Sequence, residues 1–199
     1  MNQQKYWEYI KKKKNNKLNF IHTPKCGGTF TRNLLNKINK NNKKKNINFR
    51  KRGHRVGKKT NGINFTIFRN PVERFESLLN YRLSGKIRGD WPKRLKFVYK
   101  NKNISLNTIV NMMTKNEILS FSPYKTLNYW FKNITICITI DQLKEFLEFF
   151  GYKYPEGLEN EINNKNISKK IRGKLNYKNR KKIEKIFKND VKLYNYIIR

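Results

Sequence analysis

The sequence predicts an α/β fold, a central and mainly parallel sheet flanked by helices. Three stretches carry that expectation. Leu18 to His22 is a short apolar run that breaks at Pro24, turns through Gly27-Gly28 and restarts as a helix. Ile63 to Phe68 is a compact apolar run suited to a strand buried on both faces of a parallel sheet. Ile134 to Ile140 is a β-branched run, followed by a helical pattern that reaches Phe150.

In chain order, Met1 to Lys17 reads as a short amphipathic lead-in followed by a polar, basic linker, and Leu18 to Arg199 as one domain. After the first strand and its glycine turn, Leu34, Leu35 and Ile38 give the next helix an inward face. Asn39 to Asn46 is a basic, asparagine-rich connection, and Ile47 to Phe49 a short second strand. Arg50 to Arg55 is a basic turn containing Gly53-His54. After the strand Ile63 to Phe68, Asn70 is a suitable N-cap before Pro71 at the first helical position, with Glu73 at the positive end of the helix dipole. Val72, Phe75, Leu78 and Leu79 form the apolar side of that helix, while Asn70, Arg74, Ser77 and Tyr81 align on another face.

The second half is less specific. Leu106 to Met113 reads as a helix packed in the core, and Ser122 to Trp130 is an aromatic segment that suits packing or an acceptor surface equally. Asp141 is placed to cap the helix that ends at Gly151. Asn166 to Lys174 is a basic loop. Tyr177 to Ile197 then reads as a terminal helix with Ile183, Ile186, Phe187, Val191 and Tyr194 inward.

Composition bounds the function. The 199 residues, 37% hydrophobic and 14% aromatic, are enough to fill a core. Lys+Arg 47 against Asp+Glu 13 gives a formal charge of +34, which points to an anionic partner such as nucleic acid, acidic polysaccharide or a membrane surface. Lysine, asparagine and isoleucine are abundant together, as an AT-rich coding sequence also produces, so a solvated surface accounts for the charge equally well. Cys26 and Cys137 lie in different contexts and suggest neither a disulfide framework nor a metal cluster. No run of about 18 apolar residues is present, and the basic N-terminus is not followed by an apolar segment. The sequence therefore predicts no membrane span and no signal peptide, and a cytoplasmic or otherwise soluble setting.

The stretch Phe20-Ile21-His22-Thr23-Pro24-Lys25-Cys26-Gly27-Gly28-Thr29-Phe30 carries the chemistry. A strand-to-helix turn exposes the unpaired N–H groups of a first helical turn, which with the helix dipole attract an anion. Gly27 and Gly28 permit the turn and leave the backbone open, while Thr29 and Lys25 add side-chain donors. A plain turn is the competing reading. The order is not that of a Walker A loop, in which the lysine follows the last glycine. Arg69, at the end of the strand Ile63 to Phe68, is placed where ligands bind in open α/β sheets and is a candidate for a second phosphate.

These residues resemble the sulfotransferases that use 3′-phosphoadenosine 5′-phosphosulfate (PAPS), in particular the glycan-modifying branch that includes heparan sulfate 2-O-sulfotransferase. His22-Thr23-Pro24-Lys25-Cys26-Gly27-Gly28-Thr29 is similar to the family's 5′-phosphosulfate loop, H-I-P-K-[TC]-G-G-T. Arg69-Asn70-Pro71-Val72-Glu73-Arg74-Phe75-Glu76-Ser77 looks like its 3′-phosphate motif, R-[DN]-P-x-x-R-x-x-S, in the same order and spacing.

The resemblance implies a P-loop NTPase-like three-layer fold and transfer of a sulfuryl group from PAPS to a carbohydrate hydroxyl, with no metal. Lys25, Cys26, Gly27, Gly28, Thr29 and Phe30 would form the 5′-phosphosulfate loop, and Lys25 would stabilise charge on the departing phosphate. Arg69 and Ser77 would take the 3′-phosphate. Ser168, Arg172 and Lys174 fall where the family closes over the nucleotide. Gly53-His54 is similar to the placement of the general base in the 2-O-sulfotransferase branch. Histidine chemistry agrees, since a side chain with a reference pKa of roughly 6.5 accepts a proton near neutrality. His54 is favoured over His22, which ends the first strand. The expected partners are PAPS and a glycan acceptor, with nucleic acid not favoured. The alternatives are a kinase-like phosphotransferase and a non-catalytic nucleic-acid binder. The first is disfavoured by the position of Lys25 and by the lack of an evident acidic magnesium ligand.

Overall fold

The computed structural model describes residues 3–14, 16–42, 47–49, 56–84, 93–101, 103–121, 127–157 and 173–198. The strands are β1 (Leu18–Phe20), β2 (Asn48–Phe49), β3 (Ile63–Phe68) and β4 (Ile136–Thr139). The helices are α1 (Gln3–Lys13), α2 (Gly28–Asn41), α3 (Pro71–Leu83), α4 (Lys96–Lys100), α5 (Leu106–Met112), α6 (Lys115–Phe121), α7 (Leu127–Trp130) and α8 (Leu143–Phe149). Two further helices, Tyr177–Ile186 and Lys188–Ile197, complete the described chain. None of the described helices is long and apolar enough to cross a membrane.

The chain forms two compact units. The first comprises Met1–Arg69, Thr126–Asn166 and Leu193–Arg199, and the second Asn70–Lys125 and Ile167–Lys192.

The first unit is mixed α/β. Its four strands are all parallel, in the order β2-β1-β3-β4, with helices flanking the sheet. Phe20 pairs with Phe65, and Phe65 with Ile136, so β3 is internal. Every residue of β3 is buried, polar Asn64 and Thr66 included, as in a strand covered on both faces of a parallel sheet. Asn64 and Thr66 are both hydrogen-bonded. The Asn64 amide donates to the carbonyls of Lys58 (2.7 Å) and Asn133 (2.8 Å), tying two loops to the start of the strand. After α2, the Asn39 side chain bonds both backbone groups of Ile47, at 2.8 and 2.9 Å, and so sets the chain's entry into β2.

The lead-in predicted for Met1 to Lys17 contains a helix with a buried side. Trp7 and Ile10 enter the core, where the Trp7 ring meets Phe146 edge-on at 5.3 Å. Gln3 and Gln142 exchange side-chain hydrogen bonds, and Lys11 donates to the Phe149 carbonyl while lying over the Phe149 ring. Asp141 was expected to cap α8. The helix instead begins at Leu143, and the Gln142 side chain turns back to accept from the Thr139 N–H at 2.8 Å. Gly151, at φ 77°, follows α8 as expected.

The second unit is helical. Val72, Phe75 and Leu79 of α3 join a core with Leu106, Ile109, Val110 and Ile183. Asn70 caps α3 as its sequence predicts, accepting from the N–H groups of Val72 and Glu73, with Pro71 next. Lys182 reaches the end of α5 and donates to the carbonyls of Val110 (2.7 Å) and Met113 (3.0 Å). Burial lowers its pKa.

A reciprocal cap opens α6. The Thr114 N–H donates to the Glu117 carboxylate at 2.8 Å, and the Glu117 N–H donates to the Thr114 hydroxyl at 3.2 Å. The Arg94 guanidinium pairs with the same carboxylate. Hydrogen bonding to Arg94 first, and then to Thr114, lowers the Glu117 carboxyl from 4.5 to about 2. A carboxyl depressed in the folded state contributes stability above its unfolded pKa and loses it as pH falls through the folded value. Wild-type stability should therefore decline between pH 4.5 and about 2 more steeply than that of Glu117→Gln, as measured by urea unfolding at each pH. Parallel curves would show the pair to be screened by solvent.

Candidate functional site

The loop from β1 to α2 is built by backbone pairing, then by a buried hydroxyl pair, then by a turn. Ile21 extends β1 by donating its N–H to the Phe65 carbonyl at 2.8 Å. The Thr66 hydroxyl donates to the Ile21 carbonyl at 2.7 Å, so the Thr23 hydroxyl is the donor in the 2.8 Å contact between the two threonines. Both threonines are buried. The central strand thus holds the loop at two points, neither of which the sequence reading identified. The available signal was Thr66 itself, a hydroxyl in a buried and mostly apolar strand.

Residues 24–27 make the turn. Lys25 has φ 62° and Gly27 φ 82°, both in the left-handed region. Glycine takes that conformation freely, whereas a lysine there is held against a preference of roughly 1–2 kcal/mol. Cys26 is buried, with its Sγ 3.5 Å from the Pro24 carbonyl, so its thiol belongs to the core side of the loop. Burial pushes the other thiol, Cys137, up to about 12, with Cys26 contributing.

Helix α2 starts at Gly28 with Gly27 as N-cap and no side-chain cap. Thr31 closes the first turn, its N–H and hydroxyl both donating to the Gly27 carbonyl, at 3.0 and 3.1 Å. The N–H groups of Gly28, Thr29 and Phe30 precede any intrahelical acceptor, so the positive end of a 14-residue dipole is presented by backbone alone. Thr29 is exposed, and Lys25 and Phe30 are half-buried.

His22 has a structural relation to this loop. Its imidazole lies against Gly28 so closely that a Cβ there would stand 1.7 Å from His22 Cδ2. The ring also stacks on Phe20, with centroids 6.2 Å apart and planes 19° apart. Gly28→Ala is therefore expected to cost about 1–3 kcal/mol, as overpacking does when a ring must shift. Denaturant unfolding measures this, and a loss below about 0.5 kcal/mol would mean that the imidazole moves aside without cost.

Arg69 is half-buried and follows directly on the C-terminal end of β3, the strand paired in parallel with β1. The loop and Arg69 therefore share one edge of the sheet in the first unit, which is where open α/β sheets bind ligands. Ser77 belongs to the second unit, half-buried on α3. Arg74, aligned by sequence with Ser77, is buried at 7% exposure. Lys174 is exposed, and its carbonyl accepts from the Asn107 side chain at 3.2 Å. His54, Ser168 and Arg172 lie outside the described residues, as do Ser122 to Thr126. Among the described residues there is no group of three or more His, Cys, Asp or Glu side chains that could hold a metal ion.

This arrangement offers an anion an uncapped helix terminus, a lysine ahead of it and an arginine on the adjacent strand. Compared with known proteins, the chain matches no family model, no curated protein and no solved structure.

Proposed function

We propose that the protein is a PAPS-dependent sulfotransferase that transfers a sulfuryl group to a hydroxyl of a carbohydrate acceptor. The observation that carries this reading is the turn at Lys25 and Gly27, a lysine held in the left-handed region two residues before the N-cap of a helix without a side-chain cap. Backbone strain of that kind concentrates at ligand clamps. The turn also fits a phosphosulfate chemically, because the amides of Gly28 to Phe30 and the Lys25 ammonium are all donors.

On this reading the parallel sheet is of the P-loop kind, and the two sequence motifs divide the nucleotide between them. Lys25, the backbone of Cys26 to Phe30 and the Thr29 hydroxyl hold the 5′-phosphosulfate. Arg69 takes the 3′-phosphate, and the resemblance in sequence assigns Ser77 to that phosphate and Ser168, Arg172 and Lys174 to the nucleotide. PAPS, when bound, supplies the sulfuryl group and a phosphate leaving group. His54 takes the proton from the acceptor hydroxyl, and Lys25 stabilises negative charge on the departing phosphate oxygen. The displacement is in line and direct. The formal charge of +34 suits an acceptor that is already acidic.

His54→Ala tests the assignment of the base. It is expected to lower transfer of labelled sulfate from PAPS by about 10²–10⁴-fold while nucleotide binding stays nearly intact. Unchanged turnover would remove His54 from the mechanism.

A further inference from the structure

The helical stretch 177–192 has two unlike sides. Asn179, Ile183 and Asp190 are buried, and Ile186 and Phe187 pack on the core of the second unit. Lys178, Lys181, Lys185, Lys188 and Lys192 are all exposed. Within each of the two helices they stand three or four residues apart, which places Lys178, Lys181 and Lys185 on one side of the first and Lys188 and Lys192 on one side of the second. The two helices meet at Phe187, which leaves helical geometry (φ −99°, ψ 31°); its N–H donates to the Ile183 carbonyl and its carbonyl accepts from Val191, both at 2.9 Å. Lys181 pairs with Glu184 at 2.8 Å. The other four form no ion pair among the described residues. Tyr177, 76% exposed, stands at the head of the row, with the Lys181 ammonium 5.5 Å from its ring centre.

We propose that this face binds single-stranded nucleic acid lengthwise, the lysines neutralising successive phosphates and Tyr177 stacking on a base. Charge complementarity selects a polyanion. One cation per helical turn, about 5.4 Å, suits a flexible polymer with one charge per repeat unit. The exposed aromatic ring is the sequence-tolerant platform that single-strand binders add to a basic track. An inserted membrane surface is disfavoured, because Ile183, Ile186 and Phe187 are turned into the core and the exposed Asn189 is polar. Sulfated glycan offers charge and only C–H faces for Tyr177, a weaker stacking partner than a base. The proposal is independent of the sulfotransferase reading.

The test uses the full chain and a fluorescein-labelled, mixed-sequence 12-nucleotide RNA, followed by anisotropy between 50 and 200 mM salt. Each neutralised phosphate of a single strand adds roughly −0.7 to the slope of log K against log salt. Lys185→Gln/Lys188→Gln is expected to flatten that slope by about 1.4 and to weaken binding. Lys12→Gln/Lys13→Gln removes the same charge from exposed positions on α1 and should leave both unchanged. Tyr177→Ala should weaken binding by about five-fold or more. All these positions are exposed and the variants keep helix-forming residues, so equal thermal midpoints are expected. Equal losses in the two double variants would overturn the proposal by showing only diffuse charge. Displacement of the RNA by excess adenosine 3′,5′-bisphosphate would overturn it by placing RNA at the nucleotide loop. Stripe variants that lose heparin or phosphatidylserine vesicles but keep RNA would assign the face to a glycan or a membrane, and also overturn it.

Discussion

On the proposed sulfotransferase reading, Lys25→Met is expected to slow sulfuryl transfer by about 10²–10³-fold, the usual cost of removing one donor aimed at charge that develops in the transition state. Methionine keeps the unbranched stem and removes the ammonium. The backbone at φ 62° is no more strained by methionine than by lysine, so the change isolates the charge. If the ammonium acts mainly on the leaving phosphate, kcat falls while KM for PAPS changes little. A rise in KM with kcat preserved would mean that Lys25 only binds.

Phe146→Ala is expected to destabilise the protein by about 3–5 kcal/mol, a large share of the roughly 5–15 kcal/mol that holds a typical domain. Phe146 is fully buried and stands at the centre of the aromatic group that joins α1 and α8 to the sheet. Its ring lies 4.8 Å from Phe65, 5.0 Å from Phe150 and 5.3 Å from Trp7. Alanine leaves a cavity whose walls are themselves rings and collapse poorly. Urea unfolding measures the loss, and Phe146→Leu should recover a large part of it. A loss below about 1 kcal/mol would show that α1 and α8 repack around the gap.

The sequence showed the elements whose signals are local. The strand that precedes the glycine turn, the buried run Ile63 to Phe68 and the Asn70-Pro71 helix start all depend on residues adjacent in the chain. The order β2-β1-β3-β4 depends on pairings between distant segments and was not read from sequence. In α1, seven polar or charged residues among eleven masked the buried positions Trp7 and Ile10, and the ring partners of Trp7, Phe146 and Phe149, lie far along the chain. The short helices Lys96–Lys100 and Lys115–Phe121 are too brief to show a period, and the second depends on Arg94 as well as on its own cap. At Asp141 the composition suited a cap, but Gln142 reached the strand end first.

Within the candidate site, Gly27 and Gly28 were visible as a turn, but their different duties were not. Gly27 supplies a left-handed φ, whereas Gly28 makes room for the His22 imidazole, a matter of ring direction that spacing does not encode. The positive φ at Lys25 was equally hidden, since nothing in a lysine's identity marks it. The Thr23–Thr66 hydroxyl pair joins residues 43 apart in the chain.

Thermal unfolding with adenosine 3′,5′-bisphosphate, set against ATP with magnesium, tests the central claim most directly. Ligand at about one hundred times its dissociation constant adds roughly 2.7 kcal/mol, which for a chain of this size raises the midpoint by about 5–10 °C. The bisphosphate is expected to give that rise, ATP with magnesium a smaller one, and Arg69→Ala to abolish it. A larger response to ATP with magnesium, or none to the bisphosphate, would contradict the claim.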